Sequence, residues 1–378
     1  MPPLAPSATS GVPALDQTLG GLFWGDNVVW EVGHGETILP FEHAITAAAE
    51  TFTFSVYVSL VRDPDAIRAE HPGIDVLDLR QGHGADDAAG ALRRIEELCV
   101  RNGPGGLLLF EPLEAVRDRW DEATARGFFT RCCPMLLQLG SVAYWPYASA
   151  AFPKPFREHV RGITQCVIHV SEGRLAIVKA EGRSGWVQGT VLHYGIDDGR
   201  PDLRAAPAAA RLGSALRAIR AERQLTQSDL ARLAGVSPSA ISQAERGQRG
   251  LSLETLLALT ERLGITLDEL LRGEADAGYR LARRVWAGRG GPVPLLDDPR
   301  SGLRSYALRL AVGASARPTI QHKGTEIVAV ARGLVQVALT TGTPVLRAGE
   351  TLLLERATIE SWRNLGDEEA FVFWILRD

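Results

Sequence analysis

Lysine is almost missing from this chain of 378 residues: only Lys154, Lys179 and Lys323 carry it, and arginine supplies the rest of the 41 basic side chains. Cysteine is sparse too. Cys99, Cys132, Cys133 and Cys166 make no Cys-x-x-Cys pair and no zinc-like spacing with histidine. That excludes a disulfide scaffold and predicts reduced thiols. Net charge is small as well, because 45 acidic residues leave −4. No basic coat exists to hold nucleic acid or an anionic membrane along the whole surface, so any DNA contact has to live in one segment. No apolar run approaches 18 residues, and the N-terminus lacks a basic stretch followed by an apolar one. The expectation is a cytoplasmic protein with no signal peptide, no membrane span and no membrane partner. A hydrophobic content of 45% with 23% charged residues is ordinary globular composition. At this length two to three domains are expected.

Three textures follow one another. Short apolar runs at 27–30, 54–58, 107–110 and 166–170 alternate with helical stretches near 41–51, 85–101 and 120–138. Buried strands alternating with helices predict an α/β domain with a largely parallel sheet over residues 1–195. Residues 196–210 have no apolar period and are rich in Asp, Pro and Ala, which reads as a linker. Residues 211–273 read as short capped helices. After a basic, Gly- and Pro-rich joint, residues 280–378 turn to period-two alternation punctuated by glycine, predicting an all-β module.

The middle segment is the most informative. In LTQSDLARLAGVSPSAISQAERG (225–247), Thr226 caps a helix and Asp229 completes a capping box. Leu230 and Leu233 give that helix an apolar side, and Gly235 ends it. Ser237 then caps a second helix, with Pro238 in its first turn. Ile241 and Ala244 face inward, leaving Ser239, Ala240, Ser242 and Gln243 outward. Two short helices joined in this way form a helix-turn-helix, whose second helix can enter the major groove.

Over 62 residues this segment resembles the phage-repressor-like (XRE) helix-turn-helix family. The resemblance implies a phosphate contact for Gln227, base-edge contacts for Pro238, Ser239, Ser242 and Gln243 around the capping Ser237, and phosphate contacts for Arg246 and Arg249. Nine Arg and seven acids between 211 and 272 give a local +2, so two modules on paired half-sites are expected.

The stretch SGVPALDQTLGGLFWGDNVVWEV (10–32) resembles the opening of RecA-like ATPases of the KaiC/RadA type, through Gly11, Leu15, Asp16, Leu19, Gly20, Gly21 and Gly25. The chemistry does not follow. A phosphate loop needs Gly-x-x-x-x-Gly-Lys-Ser/Thr. Here Trp30 replaces the first glycine and Glu36 stands where the lysine belongs. Val61 and Arg62 occupy the positions of the family's water-activating Glu pair, and Glu111 that of its metal-holding Asp. A scaffold, an interaction surface or a sensor is expected in place of ATP hydrolysis. His34 and His43 read as polar surface.

Residues 303–378 resemble a small cupin barrel, with RPTIQHKGTEIVAVARG and AGETLLLERATIESWRN at its two motifs. The family's His-x-His pair falls on Ile320 and His322, its Glu on Glu326, its closing glycine on Gly333 and its second-motif His on Glu360. Only His322, Glu326 and Glu360 remain as metal-ligand candidates, too poor a set for the usual imidazole site, so neither metal nor cofactor is expected. Trp362, Phe371, Phe373 and Trp374 are expected in the core.

The expected architecture is therefore multidomain: a RecA-like α/β domain, an all-α helix-turn-helix domain and an all-β cupin-like barrel. The expected function is a non-enzymatic transcriptional regulator that reads double-stranded DNA as a homodimer, its flanking domains sensing a small-molecule effector or assembling. The competing readings are an ATP-dependent RecA-like enzyme with a DNA-binding arm, and an antitoxin-like accessory protein controlling its own operon.

Overall fold

The computed structural model describes residues 7–82, 87–183, 187–205, 208–267, 270, 281, 291–298, 301–318, 320 and 324–377. The chain divides into two compact units, one running from Ser7 to Tyr279 and the other holding the C-terminal β module.

The first unit begins with a nine-stranded sheet. Its strands are β1 (Asn27–Val32), β2 (Phe54–Ser59), β3 (Asp75–Asp78), β4 (Gly106–Phe110), β5 (Val142–Ala148), β6 (Cys166–Ser171), β7 (Arg174–Ala180), β8 (Val191–Asp197) and β9 (Arg200–Ala205), in the order β3-β2-β4-β5-β1-β6-β7-β8-β9. Pairing is parallel from β3 through β6 and antiparallel beyond. The helices are α1 (Pro13–Leu19), α2 (Leu39–Ala47), α3 (Pro64–Glu70), α4 (Ala88–Asn102), α5 (Leu113–Arg119), α6 (Glu122–Leu139) and α7 (Lys154–Ile163). Both faces of the central strands are covered, which is why they read as continuous apolar runs. Val28 and Trp30 of β1 point into one apolar layer with Leu15, Phe41 and Ile45. Val29 points into the other with Ile95, Phe128, Phe129 and Val160. All four cysteines are buried free thiols in this unit.

Of the linker expected at 196–210, the described residues are strand and helix apart from a tight turn. Asp198 (φ 47°) and Gly199 (φ 71°) both adopt positive φ, forming the two-residue turn that matches strand twist, and β8 pairs with β9 from Asp197↔Arg200 to Leu192↔Ala205. An edge strand needs only one covered face. Leu192 and Leu203 supply it, and the polar residues between them point outward.

A polar knot lies between α2, β2 and α3. Glu42 and His71 are buried, with His71 Nε2 3.8 Å from a Glu42 oxygen. The His71 ring stacks on Tyr57 and meets His43 edge-on, at centroid distances of 5.2 and 5.3 Å. Arg62 and Glu70 pair beside them. His43 is thus part of this knot and not free polar surface: its Nε2 is buried without a hydrogen-bond partner, as are both ring nitrogens of His71. Burial pushes the Glu42 carboxyl up to about 7, with the Glu70 charge adding to it, and pushes His71 down to about 4.

Among the described residues the helices that follow are α8 (Ala208–Glu222), α9 (Gln227–Ala234), α10 (Pro238–Glu245) and α11 (Leu253–Leu263). Leu216, Ile219, Leu230, Ile241, Ala244 and Leu259 form their core. No helix among the described residues is long and apolar enough to cross a membrane.

The second unit holds two antiparallel sheets. One has the order β10-β11-β18-β13-β16, built from β10 (Val293–Asp298), β11 (Leu303–Leu310), β13 (Thr325–Arg332), β16 (Thr351–Leu354) and β18 (Ala370–Arg377). The other has the order β12-β17-β14-β15, built from β12 (Ser315–Ala316), β14 (Leu334–Leu339), β15 (Val345–Arg347) and β17 (Ile359–Asn364). Leu308, Val330, Val335, Val337, Trp362 and Trp374 fill the space between them. Gly333 turns β13 into β14 at φ 84°, and a Cβ there would lie 2.8 Å from that of Ala370. Trp362 and Trp374 are core as expected. Phe373 is exposed and Phe371 half-buried, because β18 alternates and Val372, Trp374 and Leu376 take the inner positions.

Candidate nucleic-acid interface

Local signals place α10. The Thr226 hydroxyl accepts the Asp229 N–H at 3.1 Å and the Asp229 carboxylate accepts the Thr226 N–H at 3.1 Å, so α9 starts on a complete capping box. Gly235 ends α9 at φ 70°. The Ser237 hydroxyl accepts the Ala240 N–H at 3.2 Å, with Pro238 at the first helical position where no N–H is needed. Arg262 on α11 donates to the Leu233 carbonyl at 2.8 Å, tying down the carbonyl end of α9. Gly213 lets α8 lie directly on α10: a Cβ there would sit 2.3 Å from the Ala244 carbonyl oxygen.

The residues expected to meet DNA come together on one side of α10 and at its ends. Ser237, Pro238 and Ser239 are exposed, while Ser242 and Gln243 are half-buried one turn on. The Ser237 and Ser239 hydroxyls hydrogen-bond at 2.9 Å. Arg246 and Arg249 are exposed beyond the helix, Arg246 donating Nε to the Ser242 carbonyl at 3.2 Å. Gln227 sits apart, half-buried at the start of α9, and its Nε2 donates to Glu245 at 2.8 Å. Sequence reasoning passed over Glu245 and Arg220. A glutamate one turn after the inward-facing Ile241 was the available signal, but its partner Arg220 lies 25 residues away.

The phosphate-loop positions are committed to internal contacts. Trp30 is buried against Phe41 and Tyr144, at centroid distances of 4.9 and 5.6 Å. Next to it, Glu31 is fully buried, accepting Tyr147 O–H at 2.6 Å and Arg161 through Nε and Nη2, both at 2.5 Å. Burial would raise the Glu31 pKa; Arg161 and Tyr147 outweigh it and hold the carboxyl below the usual range. The Tyr194 hydroxyl hydrogen-bonds Glu36 and lowers its pKa, and the Gly173 N–H adds a contact at 3.3 Å. Val61, Arg62 and Glu111 do converge, but the Glu111 carboxylate accepts the backbone N–H groups of Val61 and Arg62 at 3.0 and 2.7 Å.

In the β module, Glu326 is buried and accepts the Trp374 indole N–H at 2.8 Å. Glu360 is exposed and His322 lies outside the described residues. Among the described residues no group of three His, Cys, Asp or Glu side chains is placed to hold a metal ion.

Comparison with known proteins agrees with the helical segment. Residues 216–270 match the HTH_3 helix-turn-helix family. The HTH-type transcriptional regulator DdrOP3 of Deinococcus deserti is 37% identical over 92 residues, covering 24% of this chain and 69% of that protein. Among solved structures, a KaiC-like protein from Pyrococcus horikoshii is 17% identical with a TM-score of 0.44, over 53% of this chain and 100% of its own. A cupin domain of an XRE-family regulator from Enterobacter cloacae is 18% identical with a TM-score of 0.22, over 23% of this chain and 94% of its own. The chain belongs to the HTH_3 family of helix-turn-helix, DNA-binding transcriptional regulators.

Proposed function

We propose that the protein reads a specific operator in double-stranded DNA as a cytoplasmic homodimer, one α10 helix entering the major groove at each half-site. The observation that carries this reading is the polar side of α10, exposed at its capped start, half-buried one turn on and followed by two exposed arginines. Ser239, Ser242 and Gln243, with Ser237 and Pro238 at the helix start, face base edges; Gln243 has the bidentate amide that suits adenine. Gln227, Arg246 and Arg249 hold phosphates. A module with a net +2 binds weakly alone, which favours two copies on paired half-sites. The α/β domain and the β module sense a small-molecule effector or assemble, without ATP hydrolysis or metal chemistry. Support for that part comes from the Glu36, Glu111 and Glu326 carboxylates, each already holding protein donors. Footprinting with the Ser239→Ala and Gln243→Ala variants tests the reading. Each good base contact removed lowers specific binding by about 1–3 kcal/mol. Full specificity in both variants would refute the assignment of α10.

A further inference from the structure

Glu245 is the last residue of α10 and is 2% exposed. A carboxylate is stable at such a place only where donors converge on it. Arg220, in the last turn of α8, donates Nε at 2.6 Å to one oxygen and Nη2 at 3.3 Å to the other. Gln227, the first residue of α9, donates Nε2 at 2.8 Å. One buried carboxylate therefore ties three helices together, and two of them carry the DNA face.

A glutamine amide nitrogen has two N–H groups. With one given to Glu245, the amide plane is set and the second N–H points elsewhere. Arg220 offsets the carboxylate charge, so the anion close to the DNA face is neutralised within the protein. We infer that Glu245 is a positioning residue for DNA binding: it presets Gln227 so that the remaining N–H meets a backbone phosphate when α10 docks. The inference rests on the proposed role of Gln227 as a phosphate contact.

The test is a double-variant cycle in the full chain, on an operator located by footprinting. In Glu245→Gln the new amide has a single acceptor oxygen, and its nitrogen faces a donor. Gln227→Ala and Glu245→Gln should each weaken operator binding by about tenfold, as loss of one hydrogen bond to a charged group does. The double variant should be no weaker than Gln227→Ala alone. Additive losses would overturn the inference, because Glu245 would then act without Gln227. A second readout needs no variant. In the free wild-type protein the Gln227 side-chain amide should give a resolved NMR signal with backbone-like order, and a mobile, solvent-averaged amide would overturn the inference. Failure of the wild-type chain to select any DNA sequence would refute the operator reading, and the amide signal would still decide the positioning of Gln227.

Discussion

Replacing Glu42 by glutamine should make the α/β domain more stable at alkaline pH and leave it unchanged in acid. Glu42 is buried beside His71, and burial raises its pKa from 4.5 to about 7. A carboxyl with a raised folded pKa contributes stability that is fully present below 4.5 and lost as pH climbs through 7, because the unfolded chain ionises first. The shift, at about 1.4 kcal/mol per unit, amounts to about 3 kcal/mol by pH 8. His71 works in the opposite sense. Its pKa falls from 6.5 to about 4, so its contribution is present above 6.5 and lost as pH drops through 4. In the wild-type chain the two slopes oppose each other between pH 4.5 and 6.5 and largely cancel. Glu42→Gln removes one slope and keeps the neutral hydrogen-bonding shape. The variant should match wild type at pH 4 and exceed it by about 3 kcal/mol at pH 8, with His71 alone then making stability rise with pH. Hydrogen exchange of peptides from β1 and β2, followed in the intact chain from pH 4 to 8, measures this within one domain. A pH-independent difference, or a variant less stable than wild type at pH 8, would refute the reasoning.

Other outcomes follow from the same geometry. Gly213→Ala puts a Cβ 2.3 Å from the Ala244 carbonyl, and backbone must move. A loss of about 1–3 kcal/mol in the helical domain is expected by thermal melting, with weaker DNA binding alongside. Arg161→Ala leaves the fully buried Glu31 without its bidentate partner and should cost about 3–5 kcal/mol, read by denaturant unfolding of the α/β domain; an unchanged midpoint would mean that Tyr147 suffices. Millimolar ATP with magnesium should leave the melting curve in place, since binding to the native state would raise it. A shift that grows with nucleotide concentration would reopen the phosphate-loop segment.

Much of the helix-turn-helix was legible because helix ends are encoded locally. Thr226 with Asp229, Gly235, and Ser237 with Pro238 each act within a turn of themselves, so spacing alone located α9 and α10. The Glu245 network was not legible, since its three members come from three helices and only folding joins them. The central strands were read correctly because both faces are covered and the apolar run is continuous. The β8–β9 hairpin was misread for the opposite reason: an edge strand keeps its polar residues, and the Asp198-Gly199 pair that signals a hairpin was absorbed into a polar stretch. Short helices such as α3 and α5, of seven residues each, escaped because two turns carry too little periodicity. Phe373 shows the limit of residue type as a guide, since its inward or outward direction depends on register.

So short a stretch of chain between sheet and helices has a mechanical side. Only three chain steps join Ala205, the last residue of the sheet, to Ala208, the first of α8, and at full stretch they span about 11 Å. A leash so short keeps the α/β domain near whatever the helices grip. Under the proposed operator reading, an effector bound by that domain would reach the DNA at an effective concentration set by tether length, in the millimolar range for short connections.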